Sequence, residues 1–158
     1  MIGWILAYTG IILYNSFKER KTAYYFAESL ARSAGKPLIV VGGNNHQILG
    51  FDLPFSAHGC GDICIDIDPN ACKNGNFLQA DIREIPLPTG YAGAVFCSHV
   101  LEHLPTIADA EKAYDELTRI ADNVVIVYPD KFSISAWTHP DHHLWVFGEN
   151  GNIVFEQR

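Results

Sequence analysis

Two groups of residues in this sequence could do chemistry. The first is a series of small or polar residues, each of which follows a short apolar run: Gly42-Gly43-Asn44-Asn45, then Asp66 and Asp68, then Asp81 and Ile82, then Ser98-His99-Val100-Leu101. A carboxylate has two acceptor oxygens, so Asp66, some 24 positions after the glycine pair begins, is placed to accept both hydroxyls of a vicinal diol such as that of a ribose. Asp81 could accept from an exocyclic amine such as that of adenine, and Ile82 could lie against the base plane. Taken singly, a strand-end Asp is as often a helix cap, and Gly-Gly is more often only a turn. Their order and spacing argue for a ligand. The second group is Thr138-His139-Pro140-Asp141-His142-His143, flanked by Trp137 and Trp145. Here His139, His142 and His143 with Asp141 could ligate a metal or supply a general base, although the spacing is not a specific zinc pattern. The plain alternative is a polar loop with one or two capping histidines.

The first group makes sense only if a parallel sheet presents its strand ends on one edge, where ligands of such sheets lie. The runs preceding these residues fit that requirement. Residues 37–41, 62–67, 77–80, 94–98 and 123–128 read as five strands, several of them continuously apolar as buried parallel strands are. Between the last two, Thr106 to Ala121 reads as a helix whose stripe is Ile107, Ala110, Ala113, Tyr114, Leu117 and Ile120. Leu144–Phe147 and Asn152–Phe155, joined through Asn150-Gly151, read as a β-hairpin. Residues 44–61 show no convincing amphipathic helix, since Gly50, Pro54 and Gly59 interrupt them. The expected fold is α/β, a Rossmann-like, mostly parallel sheet with a C-terminal antiparallel hairpin, preceded by an N-terminal hydrophobic helix.

That helix belongs to a leader of different composition. Of 158 residues 48% are apolar, which excludes disorder, and the formal charge is −7. Residues 1–36 carry Lys18, Arg20, Lys21, Arg32 and Lys36 against Glu19 and Glu28, a net +3, so residues 37–158 carry −10. An acidic body argues against nucleic acid as a partner, because phosphate binding needs clustered Lys and Arg. Residues 1–17 contain no charge, and twelve of them are apolar. As a helix they would reach about 26 Å, a little short of the roughly 30 Å hydrocarbon core. A cleaved signal peptide is disfavoured because the positive charge follows the apolar stretch. A buried or dimer-forming helix is disfavoured because residues 2–14 are apolar on every face. The preferred reading is a single-pass membrane anchor with the body in the cytoplasm, on the side of the basic cluster. Residues 22–34 would form a stem helix ending at Gly35, with Tyr25, Phe26, Ser29, Leu30 and Ser33 on the membrane surface or against the body. The division is then 1–36 for anchor and stem and 37–158 for the functional domain. Cys60, Cys64, Cys72 and Cys97 lack paired CxxC spacing and are expected to be reduced.

Gly42-Gly43, Ile65-Asp66-Ile67-Asp68-Pro69, Ala80-Asp81-Ile82 through Ile85-Pro86-Leu87-Pro88, and above all Val95-Phe96-Cys97-Ser98-His99-Val100-Leu101-Glu102-His103-Leu104 resemble the class I S-adenosylmethionine-dependent methyltransferases of the small-molecule type. The resemblance spans roughly residues 36–128. It implies that S-adenosylmethionine is the cofactor, with Asp66 on its ribose hydroxyls, Asp81 on its adenine amine and Ile82 on the ring. Gly42 and Gly43 would admit the methionine part, and Ser98, His99 and Val100 would line the methyl-donating end. Should the acceptor have to lose a proton, His99, His139 or His142 could take it. Glu102 and His103 match a pair that holds a divalent ion in some O-methyltransferases, but His99 stands where the first acid would be, so no metal is assigned. The first motif departs from the family: Val40 and Val41 fill the place of its acid, and Asn44 and Asn45 replace later glycines.

The expected function is methyl transfer to a small or lipid-like acceptor at the cytoplasmic membrane face, with membrane contact through residues 1–17 and no nucleic acid. The alternative is a catalytically inactive methyltransferase-like subunit with structural or interaction partners in a membrane complex. A nucleotide-dependent oxidoreductase is disfavoured because GxGxxG is absent.

Overall fold

The computed structural model describes residues 2–43, 47–48, 51–52, 56–72, 76–130 and 134–158. Asn44 and Asn45 lie outside the described residues. The chain opens with α1 (Ile2–Ser33), followed by β1 (Leu38–Val41), the two-residue strands β2 (Gln47–Ile48) and β3 (Phe51–Asp52), β4 (Ile63–Asp66), β5 (Asn76–Gln79) and β6 (Ala94–Ser98). A 3₁₀ turn at Leu101–His103 leads to α2 (Ile107–Ile120), β7 (Val124–Val127), the short α3 (Ile134–Thr138), and the strands β8 (Leu144–Glu149) and β9 (Asn152–Gln157).

Five strands form one sheet in the order β5-β4-β1-β6-β7, and every pairing in it is parallel. From β1 the chain fills one side of the sheet and then returns to fill the other. The point where the order reverses is therefore the gap between the carboxyl ends of β1 and β6. All residues of β1 and β6 are buried, as befits central strands covered on both faces. The alternation of side chains then sorts the core in two. Ile39, Val41, Ile65, Val95 and Cys97 face α2 and the hairpin, where Ala113, Leu117, Ile120 and Val146 close over them. Leu38, Val40, Cys64, Ala94, Phe96 and Val127 face the other way, toward α1.

The helix expected at 106–121 is α2. The Thr106 hydroxyl accepts from Asp109 N at 3.1 Å and donates to its carboxylate, which caps the first turn. Ala110, Ala113, Leu117 and Ile120 are its buried face. The hairpin is also present, as a sheet separate from the main one, turning at Asn150 and Gly151, both with positive φ. Among the described residues between β1 and β4 there is no helix; β2 and β3 pair antiparallel there.

Two features differ from expectation. The stem is not a separate helix but the second half of α1, and it covers one face of the sheet. The side turned to the sheet is Ala23, Tyr24, Ala27, Leu30 and Ala31, while Tyr25 and Phe26 are 55% and 57% exposed. Alanines at every fourth position let the helix approach closely: a Cβ on Gly93 would come within 2.9 Å of Ala31 Cα. Further back along α1, Ile11 and Tyr14 are exposed. Among the described residues, no helix is long and apolar enough to cross a membrane.

The second difference concerns the cysteines. Cys64 and Cys72 form a disulfide, where reduced thiols were expected; Cys60 and Cys97 are free and buried. The chain turns back after Asp68-Pro69, which brings the two α-carbons to 6.3 Å, within bridging range. Spacing alone hid this pairing, because the turn that makes it is not a CxxC.

Candidate functional site

At the reversal point of the sheet β1 runs out into Gly42, whose φ is +88° and whose N–H donates to Ile65 O at 3.1 Å. A Cβ there would lie 2.6 Å from Val100 Cγ2 and 2.8 Å from Ser98 O, so only glycine fits both the backbone angle and the space. At Gly43 a Cβ would run into the Ala71 backbone carbonyl. This close packing brings Gly43 N–H to Asp66 at the end of β4.

Asp66 is held by two backbone donors, Gly43 N on Oδ2 and Asp68 N on Oδ1, each at 2.9 Å. Each carboxylate oxygen keeps a second lone pair, and the residue lines the cleft above the strand ends. The carboxylate is thereby oriented before any ligand arrives. Asp81, after β5, is more heavily committed. Arg83 Nε and Nη2 reach its two oxygens at 2.9 and 2.6 Å, Arg83 N adds a third bond to Oδ1, and Arg83 Nη1 extends to Asp109 at 2.7 Å. The acceptor capacity left on Asp81 is therefore on Oδ2. Ile82 is 7% exposed and lies between the core and the cleft.

Hydrogen bonds from the Arg83 guanidinium hold Asp81 below the usual carboxylate range; the Thr106 hydroxyl, then Arg83, do the same for Asp109, and Arg119 does it for Glu116. A carboxyl whose folded pKa lies below its unfolded value stabilises the fold above the unfolded value, about 3.9–4.3, and loses that contribution as pH falls through the folded one. The thermal midpoint is thus expected to drop between about pH 5 and pH 3, and to drop less steeply in Arg83→Met, as a pH series of melting curves would show.

The end of β6 carries the most unusual local structure. His99 has φ +55°, a left-handed conformation uncommon for a residue with a side chain. Four buried side-chain atoms in this stretch have no hydrogen-bond partner: Ser98 Oγ, His99 Nε2, and both carboxylate oxygens of Glu102. His99 Nδ1 lies 3.3 Å from Glu102 Oε1, close enough for charge attraction without hydrogen-bond alignment. Glu102 is only 2% exposed. Buried polar atoms are normally satisfied, so their concentration at the end of β6 marks a place for a polar ligand or ordered water.

Two contiguous cavities open here. One, of about 210 Å³, lies over Asp66, Asp81 and Ile82; the other, of about 270 Å³, lies over Gly43, Ser98 and His99. Gly42, Asp66, Ile67, Val100 and His103 line both. Together they have the size and mixed lining of a site for a nucleotide-sized ligand. Gly42, Gly43, Asp66, Asp81, Ile82, Ser98 and His99 all stand around this cleft. His139 and His142 do not line it; they lie against His103, with ring centroids 5.4 and 4.7 Å from that imidazole. Burial is the main cause that keeps the His142 pKa below its usual value.

Arg20 and Ile67 are among the lining residues that were not expected. Arg20 of α1 reaches the second cavity, and burial lowers its pKa. Its signal is in the sequence, since Arg20, Tyr24, Ala27 and Ala31 follow the i, i+4, i+7, i+11 spacing of one helix face. Ile67, beside Asp66, is 68% exposed and presents an apolar surface to both cavities.

A family model described as a methyltransferase domain matches residues 41–125, from the last residue of β1 into β7 and more than half of the chain. No curated protein matches it.

Proposed function

The chain belongs to the class I S-adenosylmethionine-dependent methyltransferase family, and on that premise we propose that it transfers a methyl group to a small or lipid-like acceptor at the cytoplasmic face of a membrane, to which residues 1–17 attach it. The observation that carries the catalytic part is the alignment of a pre-oriented Asp66 with the unpartnered Ser98 and His99 atoms along one cleft, with the buried Glu102 behind His99. The membrane part rests on the uncharged run at residues 1–17 and the basic cluster behind it.

These residues fit S-adenosylmethionine. Asp66 would receive the ribose hydroxyls on its free lone pairs, and Ile67 and Ile82 would flank the base, with Asp81 Oδ2 toward the amine. The acid that family members carry near the end of the first strand is replaced by valines, so the methionine end relies on Gly42, Gly43 and the Arg20 guanidinium, which suits a carboxylate. The cofactor, when bound, supplies an electrophilic methyl group on a sulfonium. The contribution of the protein is mostly positioning, with acceptor and donor aligned in a site shielded from water. Where the acceptor must give up a proton, His99 Nε2 is the atom that takes it. Glu102, beside Nδ1, would stabilise the imidazolium that forms.

Calorimetric titration of the full chain with S-adenosylmethionine tests this reading. Binding with a Kd of roughly 1–100 μM is expected. No binding at millimolar cofactor would overturn it and leave the fold a structural or interaction role. Carbonate extraction tests the attachment: the intact chain is expected to stay with membranes, and its release would remove the membrane from the proposal.

A further inference from the structure

At the rim of the cofactor cleft, three imidazoles from two separate segments meet. His103 comes from the 3₁₀ turn after β6, while His139 and His142 come from the turn after α3. One ring nitrogen from each lies within 4.8 Å of those from the other two. The rings of His139 and His142 stack at 4.5 Å and 15°, and His103 stands edge-on to both. We propose that His103, His139 and His142 form a binding site for a single transition-metal dication of the zinc type. The proposal does not depend on methyl transfer.

The outer side of the cluster supports this. His103 Nδ1 is 2.9 Å from the Asp141 carbonyl, where it can only donate, which leaves Nε2 as a lone-pair donor for a metal. Metal-ligating histidines typically spend their second N–H on a carbonyl or carboxylate in this way. The backbone that carries the ligands is also fixed. Arg158 Nη1 holds the carbonyls of His139 and His142 at 3.1 and 3.2 Å, and Arg158 Nη2 holds that of Trp137. His143 N donates to Glu102 O at 2.8 Å and joins this turn to the one that carries His103.

Charge gives a second and independent observation. Glu102, next to His103 in the chain and facing only His99 Nδ1 at 3.3 Å among the described ion pairs, is almost fully buried, and neither of its oxygens has a hydrogen bond. A buried carboxylate in that condition is costly unless a positive charge compensates it. A dication on the neighbouring imidazoles would supply one. Neutral nitrogen donors favour zinc-like ions and disfavour magnesium or calcium, which require oxygen. Ligand nitrogens around zinc sit roughly 3.3 Å apart, so closure from the observed spacing needs only small side-chain rotations. His139, which is exposed, gives up for this only the long 3.4 Å hydrogen bond that its Nδ1 accepts from Asp141 N. Three imidazoles leave a fourth position for water or an acceptor atom, and His103 places that position at the rim of the cleft.

The test is titration of the metal-stripped full chain with Zn²⁺ against a chromophoric chelator, with Co²⁺ as a spectroscopic probe. One Zn²⁺ per chain with a Kd below about 1 μM is expected, together with the visible bands of four-coordinate cobalt and no competition from millimolar Mg²⁺. His139→Ala and His142→Ala should each weaken Zn²⁺ binding by at least ~30-fold, about 2 kcal/mol. His143→Ala, adjacent but outside the triad, should leave it unchanged, and all three variants should keep the wild-type circular dichroism spectrum. Absence of binding at about 100 μM Zn²⁺, or stoichiometric binding that survives loss of both His139 and His142, would overturn the site. Binding of S-adenosylmethionine, measured separately, has no bearing on either outcome.

Discussion

Replacement of Asp66 by alanine is expected to weaken S-adenosylmethionine binding by ~100-fold or more, about 2.8 kcal/mol. Hydrogen bonds to a charged group contribute about 1.5–3 kcal/mol each, and Asp66 has one free lone pair on each oxygen for a ribose diol. The same carboxylate also holds the loops at Gly43 and Asp68, so the alanine variant could lose binding through loop movement alone. Asp66→Asn narrows the ambiguity. It keeps an oxygen for one of the two backbone donors but turns its NH2 toward the other and carries no charge, so it should bind at least ~10-fold more weakly, and its melting temperature reports how much of that comes from the loops. Isothermal titration with parallel melting curves decides the matter. Alanine-variant affinity within about threefold of wild type would remove Asp66 from the cofactor site.

The largest expected stability effect is at Phe96. This residue is fully buried at the middle of β6, and its ring meets Tyr24 of α1 edge-on at 5.5 Å and His58 at 5.0 Å. Phe96→Ala should cost about 3–5 kcal/mol, from lost burial and the cavity left behind. That is a large part of the roughly 5–15 kcal/mol that holds a typical domain together. Urea denaturation would measure it. A loss under about 1.5 kcal/mol would mean that this face of the sheet is not sealed by α1, since a loosely covered site collapses at little cost.

The sheet was legible because its strands are short apolar runs with polar residues at their ends, and a run such as Val95–Ser98 has few other places to go. Asp66, Asp81 and Ser98 could be placed at the cleft for the same reason: a parallel sheet puts all its carboxyl ends on one edge. The role of α1 was not legible in the same way. Its charge-free beginning draws attention to the first 17 residues, whereas its contact with the sheet uses alanines, whose small side chains carry little hydrophobic signal. Arg20 is hidden among Lys18, Glu19 and Lys21 because charge clusters read as solvated, although it falls on the alanine face. The Cys64–Cys72 bond and the meeting of His103 with His139 and His142 depend on how distant turns fold back, which no local pattern encodes.

The unbroken course of α1 has a mechanical consequence. Its 32 residues span about 48 Å at 1.5 Å per residue, with no break between the first half and the part seated on the sheet. It is a mast, not a tether. Whatever grips the first turns also fixes the height and bearing of the cleft, and a tilt imposed at one end swings the other as a rigid arm. Each residue is offset by about 100° around the axis, so a twist of one step would carry the Arg20 guanidinium out of the cavity it lines.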